Sequence, residues 1–204
     1  MSEVKQSIIT LDLEGVLIPE VWINVAEKTG IEELKLTTRD IQDYDELMQH
    51  RLKVLEKHNI TLSQIQEVIA TLKPLEGAKE FLDTLRNETQ LIILSDTFRE
   101  FAKPFMDQLG LPTIFCHSLV IKDDKIVDYK LRQNNQKEHA VKALQSLNYK
   151  VIAAGDSFND TTMLGAADHG FLFKSPDNVA ELFPQFPRYT EYDELWAEFK
   201  KHIS

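Results

Sequence analysis

Five short apolar runs stand out along the chain, at residues 7–11, 90–94, 113–116, 151–154 and 170–173. They are rich in β-branched residues, and acids or small polar residues follow them, the pattern of parallel strands buried on both faces. Stretches of helical period lie between most of them, at 78–86, 99–109, 137–147 and 160–167. Strand and helix in alternation predict a doubly wound α/β sheet. Apolar residues 119–121 and 126–127 flank Asp123-Asp124, which predicts a β-hairpin hung on that sheet.

One interval breaks the rhythm. Between Pro19 and Lys73 the pattern predicts helices and no strand. Pro19 suits a first helical residue, with Gly30 past the end. A second helix fits 44–58, where Leu47, Arg51, Val54 and Leu55 share a face. A third starts at a capping box of Ser63 and Gln66 and ends before Pro74. Residues 1–18 and 74–204 therefore read as an α/β core domain, and 19–73 as an inserted helical cap domain. Near the C-terminus, Ser175-Pro176 and Thr190 with Asp193 read as further helix starts.

The chain has 204 residues, 43% of them hydrophobic and 27% charged. A chain of this size buries roughly 70% of its unfolded surface, enough for a real core. A net charge of −10 with no lysine or arginine run argues against nucleic-acid and anionic-membrane partners. Cys116, the single cysteine, has no partner for an internal disulfide. No secretory h-region opens the chain, and no segment approaches the roughly 18 apolar residues of a membrane span. A cytoplasmic protein is expected.

Ligands of an open parallel sheet bind beyond the carboxyl ends of its strands. Asp12 and Glu14 follow the first strand, Ser95, Asp96 and Thr97 the second, and Asp156 and Asp160 the run at 151–154. Asp12, Asp156 and Asp160 would converge there with Glu14 beside them. Crowded carboxylates repel, so the cluster calls for a cation, and oxygen ligands without His or Cys select Mg²⁺. Magnesium suggests a phosphate substrate. Taken singly, Asp12 could be a helix cap and 155–160 a turn; their joint order, with Lys137 from the preceding helix, carries the argument. The seven glycines form no Gly-x-Gly, and no Gly-Lys-Ser/Thr occurs, which argues against P-loop and dinucleotide folds. Histidines 50, 58, 117, 139, 169 and 202 lack metal spacing and read as surface or core fillers.

Asp12-Leu13-Glu14-Gly15-Val16, Ser95, Lys137 and Gly155-Asp156-Ser157-Phe158-Asn159-Asp160 resemble the four motifs of the haloacid dehalogenase superfamily, in its phosphoserine phosphatase branch. Glu14 as the second acid, Pro19-Glu20 and the segments 37–41, 68–77 and 160–164 are more similar to one bacterial subgroup. That subgroup combines phosphoserine phosphatase with phosphoserine:homoserine phosphotransferase activity. The resemblance implies that Asp12 attacks phosphorus and carries an aspartyl-phosphate. It implies Mg²⁺ held by the Asp12 side chain, the Glu14 carbonyl and Asp156, with Asp160 steadying the shell. Ser95, Asp96, Thr97 and Lys137 would surround the phosphoryl group, and Glu14 would serve as acid and then base. Glu20 would take the ammonium of O-phosphoserine and Arg51 its carboxylate. Most members carry Asp where this chain has Glu14; the shifted acid suits a bulkier acceptor than water, such as homoserine. A homodimer is implied by the resemblance alone. The alternatives are a phosphatase for another small phosphomonoester and a non-catalytic protein on the same fold.

Overall fold

A computed structural model of the chain describes residues 4–38, 40–41 and 43–203; Arg39, inside the 37–41 segment, lies outside the described residues. The sheet is built on β1 (Gln6–Leu11), which pairs in parallel with β2 (Gln90–Phe98) on one side and β5 (Tyr149–Gly155) on the other. β3 (Ile114–Lys122), β4 (Lys125–Lys130), β6 (His169–Phe173) and β7 (Arg188–Tyr189) complete seven strands in the order β4-β3-β2-β1-β5-β6-β7. The order reverses between β1 and β5, so a crevice opens there at the carboxyl ends of the strands. Asp12 sits in it, its N–H still pairing with the Ala154 carbonyl at 3.0 Å.

The central strands are apolar on both faces because both are covered. Ile9, Leu11, Ile152 and Ala154 join one core cluster, and Ile8, Val151 and Ala153 the other, as the two-residue period of a strand requires. The first cluster is closed by α4 (Ala78–Glu88), α5 (Arg99–Gln108) and α9 (Tyr192–Phe199); the second by α6 (Gln136–Ser146), α7 (Thr161–Ala166) and α8 (Asp177–Leu182).

Between β1 and α4 lie α1 (Val21–Thr29), α2 (Tyr44–Lys57) and α3 (Leu62–Ala70), with a 3-10 turn at Glu32–Lys35 and, among the described residues, no strand. Their apolar faces continue the first core cluster, with Val25, Met48, Ile65 and Ile69 in it. α1 begins after Pro19, with Glu20 at its N-cap position, so Pro19 lies outside the helix. α3 also starts earlier than expected. Its capping box is Thr61 with Gln64, in which Thr61 Oγ1 accepts from the Gln64 amide and Gln64 Oε1 from the Thr61 amide. Ser63 is turned to a different use: its amide and hydroxyl donate to Asp124 Oδ1 at 3.1 and 2.9 Å, while the Leu62 amide donates to the Asp124 carbonyl at 2.7 Å.

Asp124 belongs to the turn of the expected hairpin, in which Asp123 and Asp124 both take positive φ (49° and 62°) and β3 and β4 run antiparallel. The hairpin is thus the edge of the sheet and a brace for α3. α8 and α9 start at Pro176 and Glu191 without side-chain caps, so neither Ser175 nor Thr190 plays the expected part. Among the described residues, no helix is long and apolar enough to cross a membrane.

Candidate active site

A cavity of about 920 Å³ opens over the carboxyl ends of β1, β2 and β5 and extends under α1 and α2. Asp12, Glu14, Glu20, Arg51, Ser95, Asp96, Thr97, Lys137 and Asp156 line it. Asp160 lies behind them, fully buried.

Two local irregularities place these groups. β2 shifts register against β3 between Leu94 and Phe98, so Ser95, Asp96 and Thr97 bulge out of the ladder at the cavity edge. Gly15 follows Glu14 with φ +75°, and a Cβ there would come within 2.5 Å of the Asp156 carboxylate. Only glycine combines that backbone with so close an approach. Behind the loop, Tyr192 Oη donates to the Val16 carbonyl at 2.6 Å.

Lys137 is the charge centre. It lies in the first turn of α6, where the helix dipole disfavours a cation, and three carboxylates answer it. Its Nζ is 2.7 Å from Asp160 Oδ1, 2.9 Å from Asp12 Oδ1 and 3.7 Å from Asp96 Oδ2. The contact to Asp12 is an ion pair without hydrogen-bond alignment, which leaves Asp12 Oδ1 buried with no donor. Burial would lower the lysine, yet Asp12, Asp160 and Asp96 hold it well above the usual lysine range. Asp12 is itself pushed well above the carboxylate range, by burial and then by Asp160, with Asp156 adding and Lys137 opposing.

Asp160 is the organiser. Its Oδ2 accepts from the amides of Asp156 and Ser157 and from Ser157 Oγ, each at 3.0 Å, while Oδ1 faces Lys137. A Cβ at Gly155 would collide with the Asp160 carboxylate, which explains the small residue there.

At the helical end, Glu14 Oε2 accepts from the Val21 amide at 2.9 Å, which seats this acid at the N-terminus of α1. Arg51 is buried, with its guanidinium 4.7 Å from the Trp22 ring centroid. One nitrogen donates to the Leu36 carbonyl at 3.0 Å, another faces Met48 Sδ, and Nε has no acceptor. No carboxylate among the described residues pairs with it. Burial pushes Arg51 down to about 10 despite Tyr44, Glu14 and Glu20 nearby.

A family model described as haloacid dehalogenase-like hydrolase matches residues 6–168. The chain belongs to the haloacid dehalogenase-like hydrolases. It is 60% identical over 195 residues to phosphoserine phosphatase ThrH of Pseudomonas aeruginosa, covering 95% of each protein. It is 58% identical over 202 residues to a phosphoserine phosphatase of Pseudomonas syringae pv. tomato, covering 98% of this chain and 85% of that protein. A substrate-bound phosphoserine phosphatase complex shares the fold with a TM-score of 0.78 at 21% identity, over 99% of this chain and all (100%) of the other. A phospho-aspartyl intermediate analogue of phosphoserine phosphatase gives 0.77 at 20%, over 98% and 100%.

The aspartates of this haloacid dehalogenase-like hydrolase fit a hard divalent cation. Asp12, Asp156 and Asp160 each offer a carboxylate oxygen, all within 4.8 Å of one another, and no softer donor stands among them. Asp12 Oδ1, buried and met only by the Lys137 ammonium, has acceptor capacity to spare for such an ion.

Four cavity residues, one of them (Asn159) inside a quoted motif, were given no role from the sequence. His117, read as a filler, is buried and sets Nε2 3.4 Å from Asp96 Oδ1. Gln136 Nε2 donates to the Ser95 carbonyl at 2.6 Å and to Asp96 Oδ1 at 3.0 Å. Asn159 Nδ2 donates to Asp96 Oδ2 at 3.1 Å, and Tyr44 Oη to the Asp96 carbonyl at 3.0 Å. One signal was present: His117, with Ser118, interrupts a largely apolar strand, and a buried polar residue there needs a partner.

Proposed function

We propose that the chain is a Mg²⁺-dependent phosphatase of the cytoplasm that hydrolyses O-phospho-L-serine to L-serine and phosphate, with 19–73 acting as a cap domain over the core of 1–18 and 74–204. The observation that carries this reading is Arg51, a buried cation that no carboxylate among the described residues pairs, in one cavity with the Lys137–Asp12 pair. A ligand with an anionic group at each end answers both. The names of the two Pseudomonas relatives supply the same substrate.

In this reading the Asp12 carboxylate attacks phosphorus as the bond to the serine oxygen breaks, and Glu14 gives that oxygen its proton. Glu14, now a carboxylate at the α1 N-terminus, then takes a proton from water as the water attacks the aspartyl-phosphate and frees Asp12. Ser95, Thr97 and Lys137 hold the phosphoryl oxygens, with Asp96 beside them. Asp12, Glu14 and Asp156 would hold Mg²⁺, which when bound would supply neutralisation of charge on the transferring group. Asp160, whose oxygens are taken by Lys137 and the 156–157 amides, steadies that shell from behind. Glu20, at the α1 N-cap, faces the substrate ammonium and Arg51 the carboxylate.

The same reading admits homoserine as a second acceptor. A cavity of about 920 Å³ lies near the top of the ~300–1,000 Å³ range of ligand pockets, ample for a small amino-acid phosphoester and more.

The test is phosphate release from O-phosphoserine, with and without Mg²⁺, beside phosphoethanolamine, which lacks the carboxylate. Mg²⁺-dependent release favouring phosphoserine at least tenfold is expected; equal rates on both would remove the substrate assignment. Phosphohomoserine formed on adding homoserine, read by ³¹P NMR, tests the second acceptor.

A further inference from the structure

We propose that the Asp96 carboxylate is a specificity element that weakens the site's hold on free inorganic phosphate, so that the organic part of an ester decides what stays bound. The proposal rests on the reading that Lys137 holds the phosphoryl group.

Asp96 is fixed in place. Gln136 and His117 hold its Oδ1 at 3.0 and 3.4 Å, and Asn159 holds Oδ2 at 3.1 Å. None of these three cancels its charge. Gln136 and Asn159 are neutral amides, and His117 Nδ1 accepts from the Arg132 amide at 3.0 Å, so the ring carries its hydrogen on Nε2, toward Asp96. The carboxylate is oriented by dipoles and stays an anion. Burial raises its carboxyl, but Lys137 and then the bonds from His117, Gln136 and Asn159 hold it well below the usual carboxylate range.

The position of this anion matters because Asp96 Oδ2 is 3.7 Å from Lys137 Nζ. An oxygen that Lys137 holds at an ordinary hydrogen-bond distance of ~3 Å therefore lies within about 7 Å of Asp96. That is inside the ~8 Å screening length of physiological salt, and in a partly buried site where screening is weaker still. Asp12 and Asp160 already share the same ammonium. A phosphate dianion must compete with a third carboxylate, and unlike a phosphoserine it has nothing to offer Arg51 in return. Product phosphate is thus opposed where it is held, and the ester is retained from its other end.

Calorimetric titration of inorganic phosphate into the Mg²⁺-loaded protein tests this, together with the inhibition constant of phosphate against phosphoserine hydrolysis. Asp96→Asn removes the charge and keeps an acceptor for Gln136 and His117. It should bind phosphate at least tenfold more tightly than wild type, with the difference shrinking as salt rises. Asp96→Ser carries the same test should the first variant not fold. Phosphate affinity unchanged or weakened in the folded variant would overturn the proposal and make Asp96 a prop for Lys137. Lys137→Ala separates the two levels: phosphate bound by it as tightly as by wild type would overturn the underlying reading of the site.

Discussion

Two buried cations face the same cavity, and they are treated in opposite ways. Lys137, at the sheet end, has Asp12 and Asp160 within 2.9 Å and Asp96 at 3.7 Å. Arg51, at the helical end, has an aromatic face, a carbonyl and a thioether, but no carboxylate among the described residues. Burial alone would push both down. The lysine is instead driven up by its neighbours, whereas the arginine is pushed down to about 10. A buried charge without a counter-charge is expensive. Lys137 finds its counter-charges within the chain; Arg51 has none among the described residues.

The sharpest way to break the comparison is Asp12→Asn, nearly isosteric but no nucleophile. Phosphate release from any phosphomonoester should fall by roughly 10⁴-fold or more while circular dichroism stays unchanged; a loss under tenfold would acquit Asp12. Lys137→Met comes next. It leaves Asp12 and Asp160 buried without their cation, and urea melts of the metal-free protein should show a loss of about 3–5 kcal/mol. Arg51→Ala should behave differently. It strips no partner of its counter-charge, so folding should be no weaker than the packing lost over Trp22 predicts, while binding of phosphoserine drops by about 2–4 kcal/mol. Phosphoethanolamine kinetics should hardly move, and an equal loss on both substrates would erase the contrast between the two ends. The smallest effect tests the helical end's own scaffold: Thr61→Ala should cost about 0.5–2 kcal/mol in a urea melt, more than Ser63→Ala.

That last pair shows where the sequence could be read and where it could not. Ser63-x-x-Gln66 and Thr61-x-x-Gln64 are interleaved capping patterns, and only the fold decides between them, because Ser63 is claimed by Asp124 and Gln66 by the Glu100 carbonyl at 3.0 Å. The strands at 7–11, 151–154 and 170–173 were legible because burial on both faces leaves them mostly apolar, with Thr10 of β1 a buried polar exception. β2 was longer than its apolar run, since Ser95–Thr97 leave the ladder as a bulge before Phe98 rejoins it. That Asp12, Asp156 and Asp160 would meet was legible because strand ends in such a sheet are privileged places, whereas Lys137, from the helix before β5, came with the motif resemblance. Gln136 and His117 were not legible, since their partners lie 41 and 15 residues away in sequence, at Ser95 and Arg132, and no local pattern encodes that.

The clip between Asp124 and α3 has a consequence for anyone who would treat the helical insert as an exchangeable part. Leu62 and Ser63 are the first two helical residues of α3, and both of their otherwise orphaned amides find acceptors on Asp124, across the hairpin turn. The hydroxyl of Tyr129, on β4, likewise reaches Asp45 at the start of α2. A graft cut at 18 and 74 would carry three helices but leave behind the turn that caps the start of one of them, and would bare apolar side chains such as Val25, Ile65 and Ile69 that share a core with the sheet. The insert is tied to the hairpin of residues 114–130, itself paired to the central sheet through β2, and a chimaera built without that hairpin would begin α3 with two unanswered amides.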